Sequence, residues 1–280
     1  MGIAAGAGLR FVLPLIFVAL LGLAGSTAIM SFSQAGMLFP THAVPPAGPL
    51  PPGAERLELL TADGDRLHGV HFRPSESSEG AKTLILGFGG NAWNGQHVAE
   101  YLHRAFPAAD VVAFHYRGYP PSTGSPSARA LMADAPLVHD LAIGRVKADR
   151  VVAVGFSIGS GVAASLARHR KLDGLILVTP FDSLKSVASD LIPWFPVGPF
   201  FQHEIATADE LRNNQVPVAI LAGDRDEIVR PRRTEALRPA VPNLVFDRTI
   251  ARAGHNDIYQ RNDFEMALKE ALQTLVAGKK

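Results

Sequence analysis

Short runs of β-branched and aliphatic residues alternate along this chain with stretches whose apolar positions recur every three or four residues. The runs at 83–88, 111–115, 151–156, 175–178, 218–222 and 244–249 read as strands. Most are apolar at nearly every position, the pattern of strands buried on both faces of a parallel sheet. Helical spacing fills the gaps, at 96–106, 128–143, 158–169, 233–237 and 263–276. Earlier, the runs 57–60 and 67–72 flank Asp63-Gly64-Asp65, and Asp-Gly between two strand-like runs predicts a hairpin. A hairpin followed by repeated strand–helix units predicts a mostly parallel central sheet with helices on both faces.

Two regions break this rhythm. Residues 11–30 hold no charge over the length needed to cross a bilayer core. Arg10 precedes them and no Lys or Arg follows until Arg56, which predicts an amino terminus in the cytoplasm and the remainder across the membrane. A single-pass anchor and a secretory signal removed after Ala24 or Ala28 both fit. Residues 37–55, rich in Pro, Ala and Gly, read as a linker. The second break is an insertion at about 180–214 that holds Trp194, Phe195, Phe200 and Phe201 among several prolines. Such an insertion predicts a short cap at the sheet's carboxyl edge, where ligands bind in folds of this kind. The expected organisation is therefore a membrane or signal segment at 1–36, a linker at 37–55 and one domain at 56–280.

Composition narrows the possibilities. The 280 residues suffice for one domain with a sizeable core. With 27 Lys and Arg against 26 Asp and Glu, no basic excess points to a nucleic-acid partner. The absence of cysteine excludes disulfides, thiolate metal sites and a cysteine nucleophile. No H-E-x-x-H, phosphate-binding loop or dinucleotide fingerprint is present, and His68 and His71 lie at odd spacing on one strand, so no metal and no organic cofactor is expected.

The candidate chemistry centres on Gly155-Phe156-Ser157-Ile158-Gly159, a G-x-S-x-G sequence between a strand run and a small-residue helix. Serine is a weak nucleophile that needs an exposed turn and a neighbouring base, and the glycines allow the turn to be tight. The motif alone arises by chance in roughly one chain in ten of this length. A base and an orienting acid must follow in the order Ser, Asp, His. Asp224 and Asp226 lie just after the run 218–222, with Asp226 preferred and Asp224 read as a turn residue. His255 follows the last strand behind Gly254. A developing oxyanion would be bound by the amide of Ile158 and by that of Asn91, or alternatively Gly90, in the glycine-rich stretch 87–94. Asn94 also fits a helix N-cap there. Gly90, Trp93, Trp194 and Phe195 are the candidate substrate contacts.

Taken together these stretches resemble the membrane-anchored BEM46-like, or ABHD13-like, serine hydrolases of the α/β-hydrolase superfamily, related more distantly to serine aminopeptidase-like enzymes. Gly89-Gly90-Asn91-Ala92-Trp93-Asn94 is similar to that group's H-G-N-A-G-N, and His115-Tyr116-Arg117-Gly118-Tyr119 with Ser122-Thr123-Gly124-Ser125-Pro126-Ser127 to its D-Y-R-G-Y-G-x-S-x-G-x-P-S. The elbow, Asp226-Glu227-Ile228-Val229 and Gly254-His255-Asn256-Asp257 also match, as does Met37-Leu38-Phe39-Pro40. Gly89, His115 and Pro120 depart from the pattern, and Gly89 puts the bracing of the oxyanion loop in question. The resemblance implies the α/β-hydrolase fold with a short cap, and a triad of Ser157, Asp226 and His255 acting on an acyl ester, thioester or lysophospholipid. The substrate is then a small or lipid-like acyl compound. A peptidase or amidase using Glu204 or Asp209 as a charged anchor, and an inactive membrane-tethered binding module, are the alternatives.

Overall fold

The computed structural model describes residues 34–77, 80–193, 197, 198 and 201–277, together with positions 14, 15, 17, 22 and 25 of the amino-terminal segment. Eight strands form one sheet: β1 (Ala54–Leu60), β2 (Arg66–Phe72), β3 (Thr83–Phe88), β4 (Asp110–Phe114), β5 (Arg150–Phe156), β6 (Gly174–Val178), β7 (Val218–Gly223) and β8 (Leu244–Ile250). Their order is β1-β2-β4-β3-β5-β6-β7-β8. The β1–β2 and β2–β4 pairs are antiparallel and all the others are parallel. Each expected strand is present to within a few residues.

Alternation along the strands divides the core into two layers. Leu84, Leu86, Val112, Ala153, Leu175, Leu177 and Ile220 face one side, against α2 (Ala128–Val146) and α3 (Ile158–His169). Ile85, Val111, Ala113, Val152, Val154, Ile176 and Leu221 face the other, against α1 (Gly95–Ala105) and α7 (Asn262–Ala277). An asparagine and a serine side chain start α1 and α2. Asn94 accepts from the His97 amide at 2.8 Å, and Ser127 accepts from Ala130 at 3.1 Å. Each satisfies an amide that has no partner inside the helix.

The insertion after β6 contributes α4 (Leu184–Leu191) and the short α5 (Thr207–Leu211). Asp190 on α4 accepts from Arg232 Nε at 2.9 Å, which ties the cap to α6 (Pro231–Leu237). Trp194, Phe195 and Phe200 lie outside the described residues. So does most of the apolar segment 11–30; among the described residues, no helix is long and apolar enough to cross a membrane.

The stretch expected as a linker is laid against the domain. Phe39 and Val44 are buried in the core, and the carbonyls of Pro45 and Pro49 accept from the side chains of Asn94 and Gln96. Its prolines hide this from a composition-based reading, because a proline-rich segment folds down wherever a few apolar anchors find a groove.

Candidate active site

Ser157 stands between β5 and α3 with φ 52° and ψ −117°, a left-handed backbone that side chains rarely adopt. Such strain persists where surrounding structure over-determines it, and it is common at functional turns. Here the determinants are visible. The Ser157 amide donates to the Val178 carbonyl at 2.9 Å, and Ser160 Oγ donates to the Ser157 carbonyl at 2.6 Å. The flanking glycines are required by contact: a Cβ on Gly155 would lie 2.3 Å from the Gly159 carbonyl oxygen, and one on Gly159 would lie 2.2 Å from that of Phe88.

The other two residues come from loops at the same edge of the sheet. Asp226 follows β7 and is 4% exposed; His255 follows β8 and is 8% exposed. Asp226 Oδ1 accepts from the amides of Ile228 at 2.9 Å and Val229 at 2.7 Å. Its Oδ2 meets His255 Nδ1 at 2.8 Å, and His255 Nε2 meets Ser157 Oγ at 3.1 Å. An ionised carboxylate has no proton to give, so Nδ1 carries the ring proton and Nε2 is the acceptor that faces the hydroxyl. Gly223 packs against the Ala253 carbonyl, and the Gly254 amide donates to Asp257 at 2.6 Å, which fixes the histidine loop. Asp224 is exposed and takes no part in this chain of bonds.

The glycine-rich loop after β3 lies beside the serine. A Cβ on Gly90 would sit 3.8 Å from that of Ser157, so the backbone of this loop runs close beside the serine. Ile158 is the first residue of α3, where an amide has no partner within the helix.

The sequence departure at Gly89 has its answer in two tyrosines that motif reading did not assign. Tyr116 Oη donates to the Gly89 carbonyl at 2.9 Å, and Tyr119 Oη donates to the Asn91 carbonyl. Both rings are buried, and burial raises both phenol pKa values, so each hydroxyl keeps its proton. Arg117 between them is held by Asp134 at 2.6 Å, Asp65 at 2.8 Å and Asp63 at 3.0 Å, which locks this segment to the hairpin and to α2. The signal available in sequence was Tyr-Arg-Gly-Tyr; its role depends on contacts about 28 residues away.

Trp93, expected at the substrate, packs into an aromatic group. Its ring centroid lies 5.0 Å from Phe156, 5.4 Å from Tyr259 and 5.6 Å from Tyr101. Phe156 adjoins Ser157 and Tyr259 follows His255 by four residues. The glycine-rich loop, the end of β5 before Ser157 and the histidine loop therefore meet in one packed cluster.

Comparison with known proteins agrees with this architecture. Residues 84–204 match the family model for the alpha/beta hydrolase fold. An uncharacterised protein of Mycobacterium tuberculosis is 30% identical over 256 residues, covering 88% of this chain and 88% of its own. Protein bem46 of Schizosaccharomyces pombe is 32% identical over 63% of this chain and 62% of its own. Among solved structures, an esterase from Pyrococcus furiosus superposes with a TM-score of 0.67 at 16% identity, over 83% of this chain and 97% of that one, a likeness of fold.

Proposed function

The chain belongs to the α/β-hydrolase family, among Bem46-like relatives, and we propose that it is a serine hydrolase that cleaves acyl esters or thioesters through Ser157, His255 and Asp226. The observation that carries this reading is the unbroken line of hydrogen bonds from Asp226 through His255 to the strained Ser157. In the proposed reaction His255 Nε2 takes the hydroxyl proton as Ser157 Oγ attacks the carbonyl carbon. Asp226 holds the imidazole in the right tautomer and stabilises its positive charge. The amides of Ile158 and Asn91 bind the oxyanion, and removal of one such donor typically costs about 2.7–4 kcal/mol of barrier. The tetrahedral adduct collapses, His255 returns the proton to the departing oxygen or sulfur, and the acyl group stays on Ser157. Water, activated by the same histidine, then releases the acid.

The proposal includes a membrane location. Residues 11–30 act as a single-pass anchor with the hydrolase domain on the non-cytoplasmic side, periplasmic or extracellular, supported by the lack of charge in that run and by Arg10 before it. Protease added to sealed vesicles tests the sidedness: the domain is digested from the non-cytoplasmic face only.

A fluorophosphonate probe tests the chemistry. Membranes carrying the wild type show covalent labelling and those carrying Ser157→Ala show none. Equal labelling of the two moves the nucleophile elsewhere, and no labelling of either favours a binding module on the same fold.

A further inference from the structure

A cavity of about 150 Å³ opens beside the cap, away from the candidate active site. Its size is that of an engineered cavity that takes a benzene ring, or about six carbons. Its walls join two parts of the chain that are remote in sequence. Met37 and Leu38 come from the helical stretch 34–38; Val187, Ala188 and Leu191 come from α4, with Phe201 beside them. Gln34 is its polar lining residue, and that side-chain oxygen accepts from the Gln202 amide at 2.9 Å, joining the two walls. The rim is apolar as well: Met37 is 53% exposed and Leu191 47%.

Position along the chain says what meets this surface. The uncharged run 11–30 ends four residues before Gln34. Even a fully extended chain covers at most about 3.6 Å per residue, so Gln34 lies within about 15 Å of Met30. If the run spans a bilayer, as in the reading above on which this inference rests, the cavity is held at the bilayer's surface.

We propose that this cavity receives one acyl chain of a bilayer lipid and thereby seats the cap on the membrane. Met37 and Leu191 enter the interface, and about six chain carbons leave the bilayer for the groove between residues 34–38 and α4. The chain is already in hydrocarbon, so the gain comes from the apolar walls of the cavity leaving water when the chain fills it.

The test uses the full chain in phosphatidylcholine vesicles doped with a phosphatidylcholine that carries a photoactivatable diazirine on one acyl chain. After irradiation, adducts are expected in peptides covering 34–38 and 184–191. Ala188→Trp fills the cavity and Leu191→Asp charges its rim, and each lowers those adducts severalfold. Leu191 is an exposed position, so the second variant remains informative if the first fails to fold. Fluorophosphonate labelling of Ser157 in the same samples reports an intact domain. Adducts confined to residues 11–30, or adducts on α4 that neither substitution lowers, overturn the proposal. So do adducts on α4 that appear only in Trp194→Ala, which would make the chain's own aromatic residue the occupant. If Ser157 stays unlabelled while the adducts follow the expected pattern, the hydrolase reading fails and the lipid site stands.

Discussion

Two buried histidine–aspartate pairs lie at opposite edges of the sheet. His255 meets Asp226 at 2.8 Å, and His71 meets Asp110 at 2.7 Å. The histidines are 8% and 4% exposed, so neither distance nor burial tells the pairs apart. Place and third partner do. Asp226 follows a strand at its carboxyl end, whereas Asp110 opens β4 at the other edge. The second nitrogen of His255 faces a serine hydroxyl, whereas that of His71 lies 3.8 Å from Glu55, a carboxylate shared with Arg73 and Arg145. One pair leads to a serine hydroxyl and the other into a web of ion pairs that joins β1, β2, β4 and α2. A histidine–aspartate pair is thus a common structural part, and what stands beyond it decides whether chemistry follows.

The same substitution in each pair separates them most sharply. Asp226→Asn is expected to lower kcat for a short acyl ester by a factor on the order of 10⁴, through the wrong imidazole tautomer, with little loss of stability. Asp110→Asn is expected to leave that rate within about twofold and to cost about 1–3 kcal/mol of stability in urea titrations. If Asp110→Asn silences hydrolysis in a chain that stays folded, the distinction between the pairs collapses.

A third buried histidine sharpens the contrast through pH. His115 accepts from the Gly95 amide at 3.3 Å, and burial, with smaller contributions from His68, His97 and Arg56, pushes its pKa down to about 4. The unfolded chain takes up that proton near pH 6.5. Between these values the unfolded state binds more protons, so stability present above about pH 6.5 is lost as pH falls toward 4. From pH 7 to pH 5 the wild type is expected to lose about 2 kcal/mol more than His115→Gln. Equal losses in the two would mean that His115 takes up its proton in the folded protein as readily as in the unfolded chain.

The smallest expected effect concerns the brace under the glycine-rich loop. Tyr119→Phe removes the hydroxyl bound to the Asn91 carbonyl. It is expected to lower kcat about tenfold with KM little changed, because a small displacement of a positioning group weakens the transition state more than the bound substrate. A rise in KM alone would make Tyr119 part of the substrate pocket instead.

Most of the fold was legible because five strands, β3 to β7, are buried on both faces, and that burial writes itself as nearly unbroken apolar runs. The elbow was legible because its chemistry is local: Gly155, Ser157 and Gly159 lie within one turn. Asp226 and His255 were legible from their place after the last two strands. The rest depended on contacts across the chain. Nothing local marks Tyr116 and Tyr119 as holding a loop nearly thirty residues earlier, or Arg117 as meeting Asp63 and Asp65 more than fifty residues away. The short helix α4 lies in a proline-interrupted insertion, too brief for periodicity to declare. Residues 37–55 read as a linker because Phe39 and Val44 are only two buried apolar anchors among many prolines.

The contact between Ser157 and His255 spans 98 residues of chain. At about 5–20 residues per second, the serine leaves the ribosome about 5–20 s before the imidazole that faces it. Throughout that interval Ser157 is an ordinary alcohol with no base beside it. A message cut short between the elbow at 155–159 and position 255 yields a chain with the serine and no histidine to face it. The contact between serine and histidine is therefore among the last this molecule forms during its synthesis, after β8 is made and as α7 closes over the finished sheet.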